Sequence, residues 1–271
     1  MIASALVAAL PMYDDLGTAE ANDAIWAALG ASLRQRGIAA QAKLTRGGDL
    51  AAQWRSPSLV FGQTCGYPFV KGLRDAVRLI ATPEYAFPGC EGICHRSFLV
   101  RGARDPRRRL EAFRGGVAAI NGPDSNSGMN LFRATIAPVA EGRAFFGAVA
   151  TTGSHRASLE AVANGRADLA AIDCVSFALM KRLSADLVER VAVVAASPQS
   201  PSLPFIMSAR LPEATLACVR EALFDALADP DLAEALAVLG LKGARVTAPA
   251  DYERILEIER DAAAAGYPTL A

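Results

Sequence analysis

Between Asn121 and Cys174 one pattern occurs twice, and no other stretch restricts the fold so tightly. An apolar, strand-like run (Gly116–Ile120) leads into the polar turn Asp124-Ser125-Asn126-Ser127-Gly128 and a helix-like run, Ser127–Ala140. A second run, Phe146–Thr151, leads through Gly153-Ser154-His155 into a helix-like run, His155–Asn164, with Gly165 as its stop. A third, Leu169–Ile172, ends at Asp173. Repeated strand, turn and helix is the signature of strands joined by helical crossovers.

The alternation extends along most of the chain. Ile2–Leu10, Leu59–Thr64, Val77–Ala81, Ser97–Val100 and Arg190–Ala196 read as further strands, and Asn22–Arg36 as a helix with Ile25, Leu29 and Leu33 on one face. The tail changes character, with three helix-like runs at Pro212–Leu227, Pro230–Leu239 and Ala250–Ala264. The expected fold is α/β, with mostly parallel sheets flanked by helices. Segments 83–96 and 197–204, rich in Pro and other loop formers, read as crossings between two lobes. Lobe 1 is then residues 1–92 plus 203–271, lobe 2 is the inserted 93–202, and a ligand cleft is expected between them.

Composition narrows the function. A chain of 271 residues with 52% apolar content can build a large core, and 28 basic against 28 acidic residues give no net charge. Steering of nucleic acid by the whole molecule is therefore not expected. No apolar run reaches the length of a membrane span, so direct membrane insertion is not expected. Residues 1–10 lack the basic opening of a secretory leader. That reading places the protein in the cytoplasm if this is the full native chain, and in the periplasm if a leader was removed. Five cysteines, an odd number, argue against a fully paired disulfide framework. Cys90-x-x-x-Cys94-His95 has no second ligand cluster in a chain with two histidines, so neither metal nor cofactor is expected, and His95 reads as structural.

The turns carry the chemistry. A helix start presents unpartnered N–H groups and partial positive charge, suited to a small tetrahedral anion. Ser125, Ser127, Ser154 and His155 stand at two such starts, where they can cap the helix or donate to a ligand. Asp173 ends a strand and can either cap the next helix or meet an ammonium or P–OH group of a ligand. Thr64 and the Cys65 and Gly66 amides follow another strand, and Tyr13, with Tyr85 a weaker alternative, can wall a cleft. Asp168 reads as a turn residue, and Arg107-Arg108-Arg109 as a solvated helix face.

The succession Pro11-Met12-Tyr13, Gln63-Thr64-Cys65-Gly66-Tyr67, Asn121 with Ser125-Asn126-Ser127-Gly128, Gly153-Ser154-His155, and Gly165-Arg166-Ala167-Asp168 with Ala171-Ile172-Asp173 resembles the PhnD-like phosphate/phosphonate-binding proteins of ABC importers, type 2 periplasmic binding proteins. The resemblance spans roughly residues 8–210. It implies a monomeric, two-lobed, non-catalytic receptor that delivers a small phosphorus oxyanion (phosphonate, phosphite or phosphate) to the membrane subunits of a transporter. By position, Ser125, Asn126, Ser127 and His155 match the phosphonyl-gripping residues, with Asn126 where better-known members carry Thr. Tyr13 and Asp173 match residues that line the opposite side or hold an amino group. Two alternatives stand beside this. One is an intracellular ligand sensor using the same cleft. The other is an enzyme of the same fold, of the thiamine-precursor-synthase or thiol type, built on Cys65 with His155 or His95.

Overall fold

The computed structural model describes residues 5–271. In chain order its strands are β1 (Val7–Ala9), β2 (Leu59–Gln63), β3 (Val77–Tyr85), β4 (Cys94–His95), β5 (Ser97–Gly102), β6 (Val117–Ile120), β7 (Ala148–Thr151), β8 (Leu169–Asp173), β9 (Val191–Ala196), β10 (Ser200–Pro201), β11 (Phe205–Ser208) and β12 (Leu241–Arg245). β2 and β8 are buried at every position, as continuous apolar runs covered on both faces should be. Of the strand expected at Ile2–Leu10, residues 2–4 lie outside the described residues, and Val7–Ala9 is strand.

The chain divides into two compact units. The first takes the chain up to Ala86, Glu91–Ile93 and Ser202–Asp251. Its sheet has the order β1-β2-β11-β3-β12. Helix Ala19–Gln35 buries Ile25, Trp26, Leu29 and Leu33 along one stripe, as its spacing predicts, and helix Glu213–Ala228 packs beside it. Trp26, Phe61 and Phe205 stack in succession, with ring centroids 6.2 and 5.1 Å apart, and anchor the core.

The second unit takes Phe87–Cys90, Cys94–Pro201 and Tyr252–Ala271. Its main sheet has the order β7-β6-β8-β5-β9, and β4 pairs antiparallel with β10. Leu99, Phe113, Phe132, Ile136, Phe145 and Leu169 form its core.

Besides β4, β10, β11 and β12, which the sequence reading does not mark as strands, two features differ from it. The sheets are mixed rather than mostly parallel. β7, β6, β8 and β9 share one direction, but β5 lies between β8 and β9 antiparallel to both. In the first unit β11 is likewise inserted antiparallel between β2 and β3, and β12 pairs antiparallel on the edge. The reason is visible at β5: it begins with Ser97 opposite Asp173, the last residue of β8, so the chain enters at the carboxyl ends of the other strands and must run away from them. The second difference is the tail. Residues 252–271 were read with the N-terminal piece, but helix Glu253–Ala264 packs on helix Leu131–Ala140, and Ala262 and Tyr267 join the second unit's core.

Candidate ligand-binding site at the ends of three parallel strands

β7, β6 and β8 are parallel neighbours, with Ile120 opposite Thr151 and Ala119 opposite Ala170. Their carboxyl ends open on one edge of the second unit's sheet, the usual place for ligands in α/β sheets. Each strand feeds a helix there: a π-turn at Asn126–Asn130 continuing into Leu131–Ala140, then His155–Ala163, then Cys174–Leu183. Each helix is capped by its own side chain. Ser125 Oγ accepts from the Gly128 N–H at 3.0 Å, Ser154 Oγ from the Ala157 N–H at 3.1 Å, and Asp173 from the Val175 N–H at 2.9 Å.

The first two turns are tied together. The Thr152 N–H donates to the Ile120 carbonyl at 2.8 Å and the Gly153 N–H to the Asn121 carbonyl at 3.1 Å. Gly153 holds φ at +92°, a region glycine enters without steric cost. This places Ser127 Oγ 2.8 Å from His155 Nε2. Gly128 makes that approach sterically feasible, because a Cβ there would lie 1.9 Å from Asn121 Oδ1 and 3.2 Å from His155 Cε1. Ser127 is buried and His155 half-buried. The pair combines a hydroxyl with an imidazole that accepts or donates according to its protonation.

Asn126 faces inward. Its amide donates to Ser200 Oγ at 2.8 Å, and its oxygen accepts from Asn130 Nδ2 at 3.1 Å. The Ser125 hydroxyl is engaged by the Gly128 N–H. Asp173, 2% exposed, accepts from the Ser176 N–H and hydroxyl in addition to Val175, so the cap reading describes it. His95 Nδ1 lies 3.6 Å from Asp173 Oδ1, with both side chains buried. Burial by itself pushes the Asp173 carboxyl up, but the adjacent His95 charge, the field of His155 and the Ser176 hydroxyl outweigh it and hold the group down at about 2. His95 is shifted in the complementary sense: burial opposes its charge, and Asp173 more than compensates and raises it. His95, read as structural, thus lies against a buried carboxylate at the sheet edge and favours its charged form. Cys90-x-x-x-Cys94-His95 spacing gave no hint of this, since Asp173 is remote in sequence. Asn121, part of the resemblance motif without a ligand role of its own, has a buried Oδ1 that lacks a hydrogen-bond partner and abuts Gly128.

The other candidates belong to the first unit. Tyr13 is 4% exposed and meets the Tyr85 ring edge-on at 5.9 Å, while Gln63 Nε2 donates to the Tyr85 hydroxyl at 3.1 Å. Thr64 is fully buried, its N–H donating to the Pro204 carbonyl at 3.2 Å and its hydroxyl to the Cys65 carbonyl at 3.3 Å. Cys65 and Gly66 open a short helical turn, Gly66–Pro68. Cys65 lies in the first unit, whereas the two imidazoles of the thiol–imidazole alternative lie in the second, where His95 is paired with Asp173 and His155 with Ser127. Arg107 departs from the expected solvated helix face: it lies outside any helix, pairs with Asp105 and Asp168 and covers the Phe113 ring. Asp168 is more than a turn residue, since it also accepts from the Val117 N–H. Among the described residues no group of three or more His, Cys, Asp or Glu side chains is arranged to hold a metal, and no helix is long and apolar enough to cross a membrane.

Comparison with known proteins shows the family and the fold. Residues 7–252 match the model of the phosphonate-binding family, described as "ABC transporter, phosphonate, periplasmic substrate-binding protein", and the chain belongs to that family. No curated protein sequence matches it. Among solved structures, the binding protein component of an ABC phosphonate transporter (PA3383) from Pseudomonas aeruginosa superposes with TM-score 0.76 at 15% identity, covering 96% of this chain and 87% of that one. PhnD1 from Prochlorococcus marinus (MIT 9301), in complex with methylphosphonate, gives 0.73 at 14% identity over 94% and 97% of the two chains. XAC2383 from Xanthomonas citri, bound to chloride ion, gives 0.74 at 16% identity over 97% and 99%. At these identities the likeness concerns the fold.

Proposed function

We propose that this protein is a non-catalytic receptor for a small phosphorus oxyanion (phosphonate, phosphite or phosphate) serving an ABC-type importer. The observation that carries the reading is the meeting of Ser127 Oγ and His155 Nε2 at 2.8 Å, where two helices start at the ends of adjacent parallel strands. An arriving P–O⁻ group displaces their mutual hydrogen bond and takes the Ser127 O–H and, with the imidazole protonated, the Nε2–H. Two helix starts add partial positive charge without needing Lys or Arg. Family membership supports the ligand class, as does the methylphosphonate held by the similarly folded PhnD1.

A thermal-shift screen across phosphonates, phosphite, phosphate, sulfate and carboxylates identifies the ligand. One present at 100 times its dissociation constant stabilises the fold by about 2.7 kcal/mol. Calorimetry with the tightest phosphorus ligand then compares wild type with the Ser127→Ala, His155→Ala double variant. Loss of two charge-assisted donors should weaken binding by about 2–4 kcal/mol. Unchanged affinity in a folded double variant refutes the assignment.

A further inference from the structure

We propose that Cys90 and Cys174 form a disulfide that clips the Phe87–Cys90 segment to the helix following Asp173. The inference does not depend on the ligand. The two sulfurs lie 3.4 Å apart as thiols, so a bond of about 2.05 Å requires them to approach by only about 1.4 Å.

The backbone enforces this proximity. Gly89 holds φ at +96°, and a Cβ on it would lie 2.8 Å from Cys174 Cβ and 2.9 Å from Phe98 Cζ. Only glycine lets the chain press so closely on Cys174. The Cys90 N–H donates to the Phe87 carbonyl at 3.0 Å, closing a tight turn. Cys174 is equally fixed. It is fully buried at the first position of its helix, and its N–H donates to the Arg96 carbonyl at 3.0 Å. Residues 87–90 belong to the second unit, whereas the chain immediately before and after them belongs to the first. A bond here ties a four-residue excursion to the second unit and closes a chain loop of roughly 80 residues.

The oxidant is a disulfide, of the class supplied by thiol–disulfide oxidoreductases in the oxidising periplasm or by oxidised glutathione in vitro. The Cys90 thiol, half-buried and the more accessible of the two, loses its proton to solvent. Its thiolate attacks one sulfur of the oxidant, forming a mixed disulfide and releasing one thiolate. Cys174 then gives up its proton and attacks Cys90 Sγ, releasing the second thiolate. Two protein thiols thus lose two electrons and two protons, and the oxidant disulfide is reduced to two thiols. The hydrogen bond with Cys90, burial and the neighbouring Asp173 charge all push the Cys174 thiol up, which makes the second attack the slow, base-accelerated step.

The test incubates the folded full chain with oxidised glutathione, counts free thiols after denaturation and maps linked peptides by mass spectrometry. The expected result is a fall from five thiols to three, with the Cys90 peptide joined to the Cys174 peptide. The melting temperature should rise by about 5–10 °C and return on reduction. In Cys90→Ser no internal crosslink should form and the oxidant should leave the melting temperature unchanged. Retention of all five thiols, a link through Cys94, or a persistent glutathione adduct on Cys90 overturns the proposal. The wild-type peptide map is decisive even if a variant fails to fold.

Discussion

Replacing Asp173 by Asn tests whether the carboxylate beneath the candidate site is ionised by a buried histidine. Asn keeps the size of the side chain, and its single oxygen can keep either the Val175 N–H bond, made to Oδ1, or the Ser176 N–H bond, made to Oδ2, so part of the cap survives. The charge 3.6 Å from His95 Nδ1 disappears, in a pair whose side chains are 1% and 3% exposed. Removing one partner from a buried pair costs about 3–5 kcal/mol. The cost should depend on pH with a definite sign. In the wild type the folded pKa of His95 lies above its ordinary value of 6.5, so its stabilising contribution is fully present below 6.5 and fades as pH rises through the folded value. In the variant burial acts alone and the folded value falls below 6.5, so folding in acid must strip a proton from the imidazole, at about 1.4 kcal/mol per pH unit. Asp173 itself, depressed from 3.8 to about 2, loses its contribution only between those values and stays constant above them. The variant should therefore be destabilised by about 2 kcal/mol more near pH 5 than near pH 8. Urea unfolding followed by circular dichroism at the two pH values reads this directly. Equal destabilisation at both would mean that His95 is neutral in the wild type, and the ion-pair argument would fail.

Two further substitutions separate support from contact. Gly128→Ala puts a Cβ 1.9 Å from Asn121 Oδ1 and 3.2 Å from His155 Cε1, so Asn121 and His155 must shift. It should cost about 1–3 kcal/mol in stability and weaken binding of the tightest phosphorus ligand found for the wild type, read by calorimetry, and wild-type affinity would show that the Ser127–His155 contact does not govern binding. Ser125→Ala should lower stability by about 1 kcal/mol through the lost cap and cost less affinity than Ser127→Ala, because the Ser125 oxygen is fixed by the Gly128 N–H and its remaining O–H has no imidazole beside it, unlike that of Ser127. An affinity loss as large as that of Ser127→Ala would place the Ser125 hydroxyl on the ligand instead.

What the sequence revealed, and what it concealed, follows from the range of the interactions. Helix starts at Ser125, Ser154 and Asp173 were legible because capping is local: the side chain and the N–H it accepts lie two or three residues apart. The direction of β5 was not legible, because a strand's composition is the same whichever way it runs, and β11, four buried residues just past the proline cluster, was not read as a strand at all. The same limit explains the tail: the pattern of Glu253–Ala264 defines an amphipathic helix without naming the surface that covers it, here helix Leu131–Ala140. At the site, the motif resemblance located Ser127 and His155 by position, and the parallel pairing of β6 with β7 brings them within 2.8 Å. The resemblance matches Asn126 to a ligand-gripping residue, whereas its amide donates to Ser200, over seventy residues away, a contact that local sequence does not show. Nor did it connect Asp173 with His95, which meet only because β5 is inserted antiparallel beside β8, with Ser97 opposite Asp173. The strand whose direction could not be read is thus the one that brings the buried histidine to the carboxylate, so the electrostatics of this edge are a product of topology rather than of motif.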